Sequence, residues 1–342
     1  MNKQLLGVID ATTTHDNLKE MTTHRSLAAL PIGGRYRLID FVLSNMVNSG
    51  IRSVAIFPNA QNRSLMDHLG SGKNWDLNRK RDGLFFFPST NVAGSGTGIG
   101  CFEHYSANLD YFYRSTQKYA LITNCFTVFN MDFGPMLDMH VASGCDITEA
   151  VNDKGSMQLY LIKTSLLIQL LENRKATGYT CMRDVVTDLQ QPYRICHYKY
   201  NGFVSMIDSV ETYFKTSMNL LNPQIWNSLF LKERPIFTKV KDEPPTRYLK
   251  GSKVQNAMIA NGCQIDGIVE NSIISRGVKI GKGTHIKNSI IMQKCNIGEN
   301  CVLDTVIMDK DVKVEAENII IGNLQSPFVI EKGTIQGALM NK

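Results

Sequence analysis

Basic residues around an aromatic ring are the first groups in this chain whose spacing suggests chemistry. Arg35 and Arg37 flank Tyr36, and two guanidinium forks beside a ring suit a phosphorylated ligand. Solvated charge or a subunit salt bridge is the plainer reading of the same pair. Arg25 and Arg52 are companions of the same type, and His24 beside Arg25 reads as a surface histidine. Asp184 and Asp188 stand at i and i+4, where two carboxylates could share acid–base work or simply line a solvated helix face. The run Gly94-Ser95-Gly96-Thr97-Gly98-Ile99-Gly100 has the glycine density of a nucleotide loop. No Lys-Ser or Lys-Thr follows it and no clean strand precedes it, so it reads as a surface loop. The 7 histidines are dispersed without His-Glu-x-x-His or zinc spacing. His285, within Gly-Thr-His-Ile-Lys, has no acidic support in sequence and makes a weak case for acyl transfer. None of the 8 cysteines forms a Cys-x-x-Cys pair, and they read as reduced core residues of a cytosolic protein.

The elements that must position these groups change character along the chain. Apolar runs at Leu5–Ile9, Ser53–Phe57, Tyr119–Thr123 and Leu159–Ile162 read as strands. Helical signals at Asp40–Ser49, Arg63–Leu69, Glu103–Tyr113 and Ser165–Glu172 fall between and after them. This alternation predicts an α/β domain with a mostly parallel sheet over residues 1–222. Residues 223–250 carry Pro223, Pro235, Pro244 and Pro245 among charges and read as an extended linker. From Gly251 to residue 342 the chain repeats. Asn271-Ser272-Ile273-Ile274 recurs as Asn288-Ser289-Ile290-Ile291 and again at Thr305-Val306-Ile307-Met308, a step of 17 residues. Small aliphatics recurring with Gly or Asn between them predict a left-handed parallel β-helix, each Ile or Val stacking one coil away.

The 342 residues suit about two domains. At 43% hydrophobic and 20% charged, the composition is that of a folded chain and excludes a disordered one. No apolar run approaches the ~18 to 20 residues of a membrane helix, and the first residues have too short an apolar core for a signal peptide. A cytoplasmic protein is the expectation. The net charge of +6 is mild and scattered, so nothing else motivates a nucleic-acid partner.

The stretch from Leu30 through Gly33-Gly34-Arg35-Tyr36-Arg37-Leu38-Ile39-Asp40-Phe41 to Asn45, followed by Asn48-Ser49-Gly50-Ile51, resembles the ADP-glucose pyrophosphorylase family. These enzymes are the glucose-1-phosphate adenylyltransferases of bacterial glycogen synthesis. The resemblance extends over nearly the whole chain and takes in Trp75-Asp76-Leu77 and Asn108-Leu109-Asp110. It implies a nucleotidyltransferase-type (Rossmann-like) domain, a C-terminal left-handed β-helix and tetrameric assembly. It also implies that the position of Arg35 contributes to an allosteric sugar-phosphate site.

The family's reaction needs backbone donors around a triphosphate, Mg²⁺, and carboxylates to hold it. The family's first strand runs into Gly-Gly-x-Gly-Thr-Arg-Leu; here it runs into Asp10-Ala11-Thr12-Thr13-Thr14-His15-Asp16, without a glycine. A Lys-Pro pair that precedes the glycine block in active members falls on Leu27-Ala28. Cys125-Phe126-Thr127 stands where Gly-Asp-His is expected, and Met206 stands where a second metal carboxylate belongs, with Asp208 two residues on. Phe126 and Met206 offer Mg²⁺ no oxygen. The region from Ile147 to Met157 is short and lacks the family's Glu-Lys-Pro sugar motif, which leaves a deleted hairpin or missing residues.

The pattern resembles the family's non-catalytic, regulatory-type subunit. It implies a hetero-oligomer with a catalytic pyrophosphorylase subunit, no cofactor of its own, Mg²⁺ only in the partner, and a sugar-phosphate effector at Arg35, Arg37, Arg25 and Arg52. The alternative is a weak or divergent sugar-phosphate nucleotidyltransferase that recruits Asp10, Asp132 or Asp208 for metal.

Overall fold

Leu5–Ala11 is buried at every position, as expected of a strand covered on both faces. A computed structural model, which describes residues 4–88 and 99–337, places it in a seven-stranded sheet. The strands are β1 (Leu5–Ala11), β2 (Ser53–Pro58), β3 (Gly83–Phe86), β4 (Tyr119–Asn124), β5 (Ile147–Asn152), β6 (Gly155–Lys163) and β7 (Ile195–Lys199). Their order is β7-β5-β6-β4-β1-β2-β3, and β6 alone runs antiparallel to its neighbours. Three strands, β3, β5 and β7, were not anticipated from sequence: β3 and β7 are half-exposed edges, and β5 (ITEAVN) has polar residues among its apolar ones.

Helix Leu38–Asn48 starts two residues earlier than the sequence suggests, because Asp40 sits in its first turn and reaches back to the amide of Arg37 at 2.9 Å. The single helix expected over Glu103–Tyr113 is two, Phe102–Ser106 and Leu109–Arg114, divided where the Asn108 amide donates to the carbonyl of His104 at 3.0 Å. Strands β5 and β6 close into a hairpin with Asn152 opposite Gly155. Residues Gly94 to Gly98 of the glycine-rich run lie outside the described residues.

The proline-rich stretch is not one extended linker. Pro223 opens a helix, Pro223–Leu229, whose N-cap Asn222 accepts from the amide of Gln224. Proline is tolerated in a first turn because its missing N–H has no intrahelical partner anyway. At the other end, Arg247–Tyr248 already pairs with Gln264–Ile265 as part of the first coil.

The rest of the described chain winds into three parallel sheets of six, five and five short strands, the left-handed β-helix. Ile273 stacks on Ile290 and Ile290 on Ile307, which is the step read in the sequence. One coil is shorter, with Met258 on Ile273, and the last is longer, with Ile307 on Val329. Asn256, Asn271, Asn288 and Thr305 occupy one corner at φ +45°, +43°, +46° and +58°. Asparagine tolerates that left-handed conformation better than most side chains, which explains its recurrence. Asn256 donates to Asn271, and Asn288 to Asp304, tying successive coils.

The two parts share a core. Ile290, Met292 and Ile307 of the β-helix pack into the same buried cluster as the α/β domain. The Gly33-Gly34 turn lies against the β-helix, where a side chain at Gly34 would approach the backbone of Ile274 and both glycines have positive φ. Arg25 crosses the boundary in a buried ion pair with Asp309, at 2.7 and 2.9 Å to its two carboxylate oxygens.

Cysteines depart from the expectation of a fully reduced set. Cys145, at the entry to β5, forms a disulfide with Cys196 on the neighbouring β7. Parallel pairing of these strands brings residues 51 apart in sequence within reach, which a reading by Cys-x-x-Cys spacing cannot detect. Cys101, Cys125, Cys181, Cys263, Cys295 and Cys301 are free.

Candidate functional site: a closed nucleotide cleft and an open cationic one

At the C-terminal ends of β1 and β4, where an open parallel sheet ordinarily receives its ligand, the chain's own side chains occupy the available donors. The buried Asp10 carboxylate accepts from the amides of Gly100 (2.7 Å) and Cys101 (3.0 Å) through Oδ2. Its Oδ1 accepts from the amide and hydroxyl of Thr12 at 2.9 and 2.6 Å. An internal anion thus sits on backbone N–H groups that could otherwise face a phosphate. Asn124, at the end of β4, accepts from the amides of Phe126 and Thr127 and from the Thr127 hydroxyl, while its amide donates to Met157. The turn is satisfied from within.

The residues present do not fit the metal that the family resemblance implies. Phe126 is buried and meets the His15 ring edge-on at 5.0 Å. Met206 is half-buried opposite Thr127 in an antiparallel pair. Asp208 accepts from the Thr212 hydroxyl ahead of helix Val210–Asn219, and Asp132 accepts from the amide of Gly134 at the start of helix Gly134–Ser143. Asp10, Asp132 and Asp208 are therefore each engaged locally. Among the described residues no three His, Cys, Asp or Glu side chains converge on one point. Burial holds the His15 imidazole below its usual range, with Asp208 and Asp16 opposing. A cavity of about 710 Å³ beside this region is bordered by Asp16, Glu20, Glu211 and Glu331 with Lys19, a lining that disfavours polyphosphate.

Asp184 and Asp188 are not a catalytic pair either. Asp184 accepts from the amides of Thr180 and Cys181 before helix Met182–Thr187, and Asp188 accepts from the Tyr179 hydroxyl. His285 does have an acidic partner, contrary to the sequence reading: Glu270, one coil away on a facing strand, lies 2.9 Å from its Nε2.

Positive charge concentrates in a second cleft, of about 440 Å³, between the α/β domain and the β-helix. From the α/β side come His24, Arg25, Arg37, Arg63 and His68, and from the connecting segment Lys239 and Lys241. The β-helix supplies Arg276, Lys310 and Lys332. These three stand at one corner of the β-helix, with Gln293 on the coil between Arg276 and Lys310. The amides of Gly277, Lys294, Asp311 and Gly333 bond the carbonyls of Asn261, Arg276, Gln293 and Lys310 in turn. The acid bordering the cleft is Asp67.

Two of the four arginines proposed from sequence, Arg25 and Arg37, meet here. Arg37 donates through Nη1 to the carbonyl and hydroxyl of Ser64, both at 2.8 Å, which aims it at the cleft wall. Arg35 does not line it; its exposed guanidinium lies 5.2 Å from the ring of Tyr36. Arg52 precedes β2 at the opposite end of the sheet and does not line it either. Proximity to Tyr36 in sequence could not decide these cases, because Arg35 lies exposed in the turn of a two-stranded hairpin, whereas Arg37 lies in its second strand, half-buried beside Ser64. His24, read as a surface histidine, is exposed at the rim. Sequence reading missed Arg63, Lys239, Lys241, Arg276, Lys310 and Lys332. The repeat offered a signal, since residues 276, 293, 310 and 332 follow the coil steps of the β-helix.

Burial and mutual repulsion weaken the protonated state of these cations. Burial holds Arg37 down at about 10, with Arg25 and Arg276 adding to the effect. Lys310 is pushed down to about 7 by burial, then by Arg37 and Arg25, against the opposing pull of Asp309. Lys241 and Arg276 are also lowered, burial again being the main cause. His68 is lowered by burial, although its Nε2 lies 2.6 Å from Asp40 Oδ1, which favours the charged ring.

Comparison with known proteins agrees with the fold. Residues 14–157 match the nucleotidyl transferase family model, and residues 244–326 match the GlmU-like C-terminal hexapeptide model. The class is thus a nucleotidyltransferase-type domain followed by a hexapeptide β-helix. The chain is 52% identical over 340 residues to the glycogen biosynthesis protein GlgD of Bacillus subtilis (strain 168), covering 99% of each chain. It is 56% identical over 343 residues to GlgD of Geobacillus stearothermophilus, covering 100% of each. A glucose-1-phosphate adenylyltransferase of Mycoplasma mobile is 28% identical over 330 residues, 84% of this chain and 86% of that one. The chain belongs to the GlgD family of glycogen biosynthesis proteins, relatives of the glucose-1-phosphate adenylyltransferases.

Proposed function

We propose that this protein is a non-catalytic, regulatory subunit of a glucose-1-phosphate adenylyltransferase complex that makes ADP-glucose for glycogen synthesis. One observation carries the reading: the nucleotidyltransferase architecture is intact while its ligand end is filled by Asp10, Phe126 and Met206. A metal acting as Lewis acid supplies several kcal/mol of transition-state stabilisation. Without oxygen ligands at positions 126 and 206, this subunit lacks the means to recruit it as active relatives do. No cofactor is assigned to it.

The cationic cleft supports the regulatory half of the proposal. Its unneutralised lysines and arginines suit a phosphorylated effector, and it touches both domains at once. Effector binding there would alter how the domains pack and so reach a catalytic subunit in a tetramer, a coupling typically worth ~1 to 3 kcal/mol. The test is to assay ADP-glucose formation with the purified chain alone, with a catalytic subunit alone, and with the two mixed. The expected result is no turnover from the chain alone and altered kinetics in the mixture, with co-purification of the two. Full Mg²⁺-dependent turnover by the chain alone would refute the non-catalytic assignment. Unchanged kinetics without co-purification would refute the regulatory one.

A further inference from the structure

We propose that the interdomain cleft takes up one proton when it binds a phosphate-bearing ligand, and that Lys310 is the group that receives it. This rests on the reading of the cleft as an effector site and adds how its affinity is regulated.

Carboxylates close to Lys310 already have partners. Asp309, next to Lys310 in sequence, is the nearest acid, yet both its oxygens are taken by Arg25 inside the domain boundary. Asp309 also accepts from the backbone amide of Lys310. Asp40 is engaged by His68 and by the amide of Arg37. Among the described residues no ion pair neutralises Lys310, Lys241, Arg276, Arg63 or Lys332.

Cations line the cleft around Lys310 from both domains and the segment between them. Arg25 comes from the turn after the first helical segment, and Arg37 from the start of helix Leu38–Asn48. Arg63, Asp67 and His68 come from helix Arg63–Leu69, with His24 at the rim. Lys239 and Lys241 come from the connecting segment, Lys332 from the next coil and Arg276 from two coils before. Lys239 donates to the carbonyl of Asp67, which fixes another positive charge against the cleft.

An ammonium half-buried among like charges discards its proton more readily than one in water. Lys310 stands at about 7 for this reason, with burial the leading cause. A dianion entering the cleft reverses the balance: it supplies opposite charge and restores the protonated form. By linkage, a ligand that favours the protonated form binds more weakly as pH rises through the free-state value. Above about pH 7.5 the affinity should then fall by close to tenfold per pH unit, the signature of a single proton. His68 does not produce that slope, because burial places it below its ordinary range.

The experiment uses the full chain and inorganic sulfate, which stays dianionic throughout, so proton uptake cannot come from the ligand. Sulfate binding is followed by NMR chemical-shift titration between pH 6.5 and pH 9. Three proteins are compared: the native chain, Lys310→Arg, which stays charged over the whole range, and Lys310→Met. The native chain is expected to lose affinity with the slope given above. Lys310→Arg is expected to bind with little pH dependence, and Lys310→Met to bind weakly at every pH. Circular dichroism establishes that each variant is folded, and Lys310→Arg keeps the test valid where Lys310→Met is not. Sulfate binding with a flat pH profile in the native chain, or an equal slope in Lys310→Arg, overturns the proposal and leaves the effector site standing. An absence of sulfate binding at any pH overturns both.

Discussion

The Arg25–Asp309 pair gives the sharpest test of how the two domains are held together. Each side chain is 3% exposed, and Arg25 also donates to the carbonyl of Met21 at 2.9 Å. Desolvating two charges nearly offsets their attraction, so the intact pair contributes little net stability relative to apolar replacements. Removing one member leaves the other buried and uncompensated, at a cost of about 3–5 kcal/mol. Asp309→Leu should show the full loss, because it strands Arg25 in a cleft already crowded with Arg37, Lys310 and Lys241. Arg25→Met should lose somewhat less, since Asp309 keeps the amide of Lys310 as a donor. The double variant Arg25→Met with Asp309→Leu should recover most of the loss, giving a coupling of at least about 2 kcal/mol. Urea unfolding of the four proteins, followed by tryptophan fluorescence and far-ultraviolet circular dichroism, measures the cycle. Single variants that each lose less than about 1 kcal/mol, with additive effects, would refute the claim that this pair ties the domains.

Other outcomes follow from the geometry. At the β-helix corner, Asn288→Ala should cost about 1–2 kcal/mol, from the positive φ and the lost bond to Asp304, and Asn288→Gly should cost less; thermal melts compare them. His15, His68, His104 and His140 are all held below their ordinary range by burial. The unfolded chain therefore binds more protons than the folded one as pH drops below about 6.5, and stability should decline from there. Urea midpoints at pH 7.5 and 5.5 measure this, and equal midpoints would contradict it. Reducing the Cys145–Cys196 disulfide should lower stability by about 2–4 kcal/mol, read by unfolding with and without dithiothreitol.

Much of the architecture is determined by sequence alone, and for identifiable reasons. Fully buried parallel strands must be continuously apolar, so β1, β2 and β4 announce themselves. A β-helix must place an inward aliphatic at each coil, so Ile273, Ile290 and Ile307 report the step directly. The residue types at positions 126 and 206 are equally plain, because they need no tertiary structure to be read. Phe126 cannot become an oxygen ligand by any change of conformation.

The cationic cleft is a different matter. Its members lie between residues 24 and 332, and none of them is exceptional within its own segment. Only the fold, which sets the β-helix corner beside helix Arg63–Leu69 and the connecting segment, brings Arg276, Lys310 and Lys332 into one cleft with Arg37. The same docking consumes Arg25 and Asp309, and excludes Arg35 although it is a near neighbour in sequence. Charge type is a property of the residue, but whether a charge is paired, solvated or crowded depends on distances that exist only after folding. That is why the absence of an oxygen ligand at positions 126 and 206 could be read from the chain, while the convergence of cations in the cleft needed the tertiary structure.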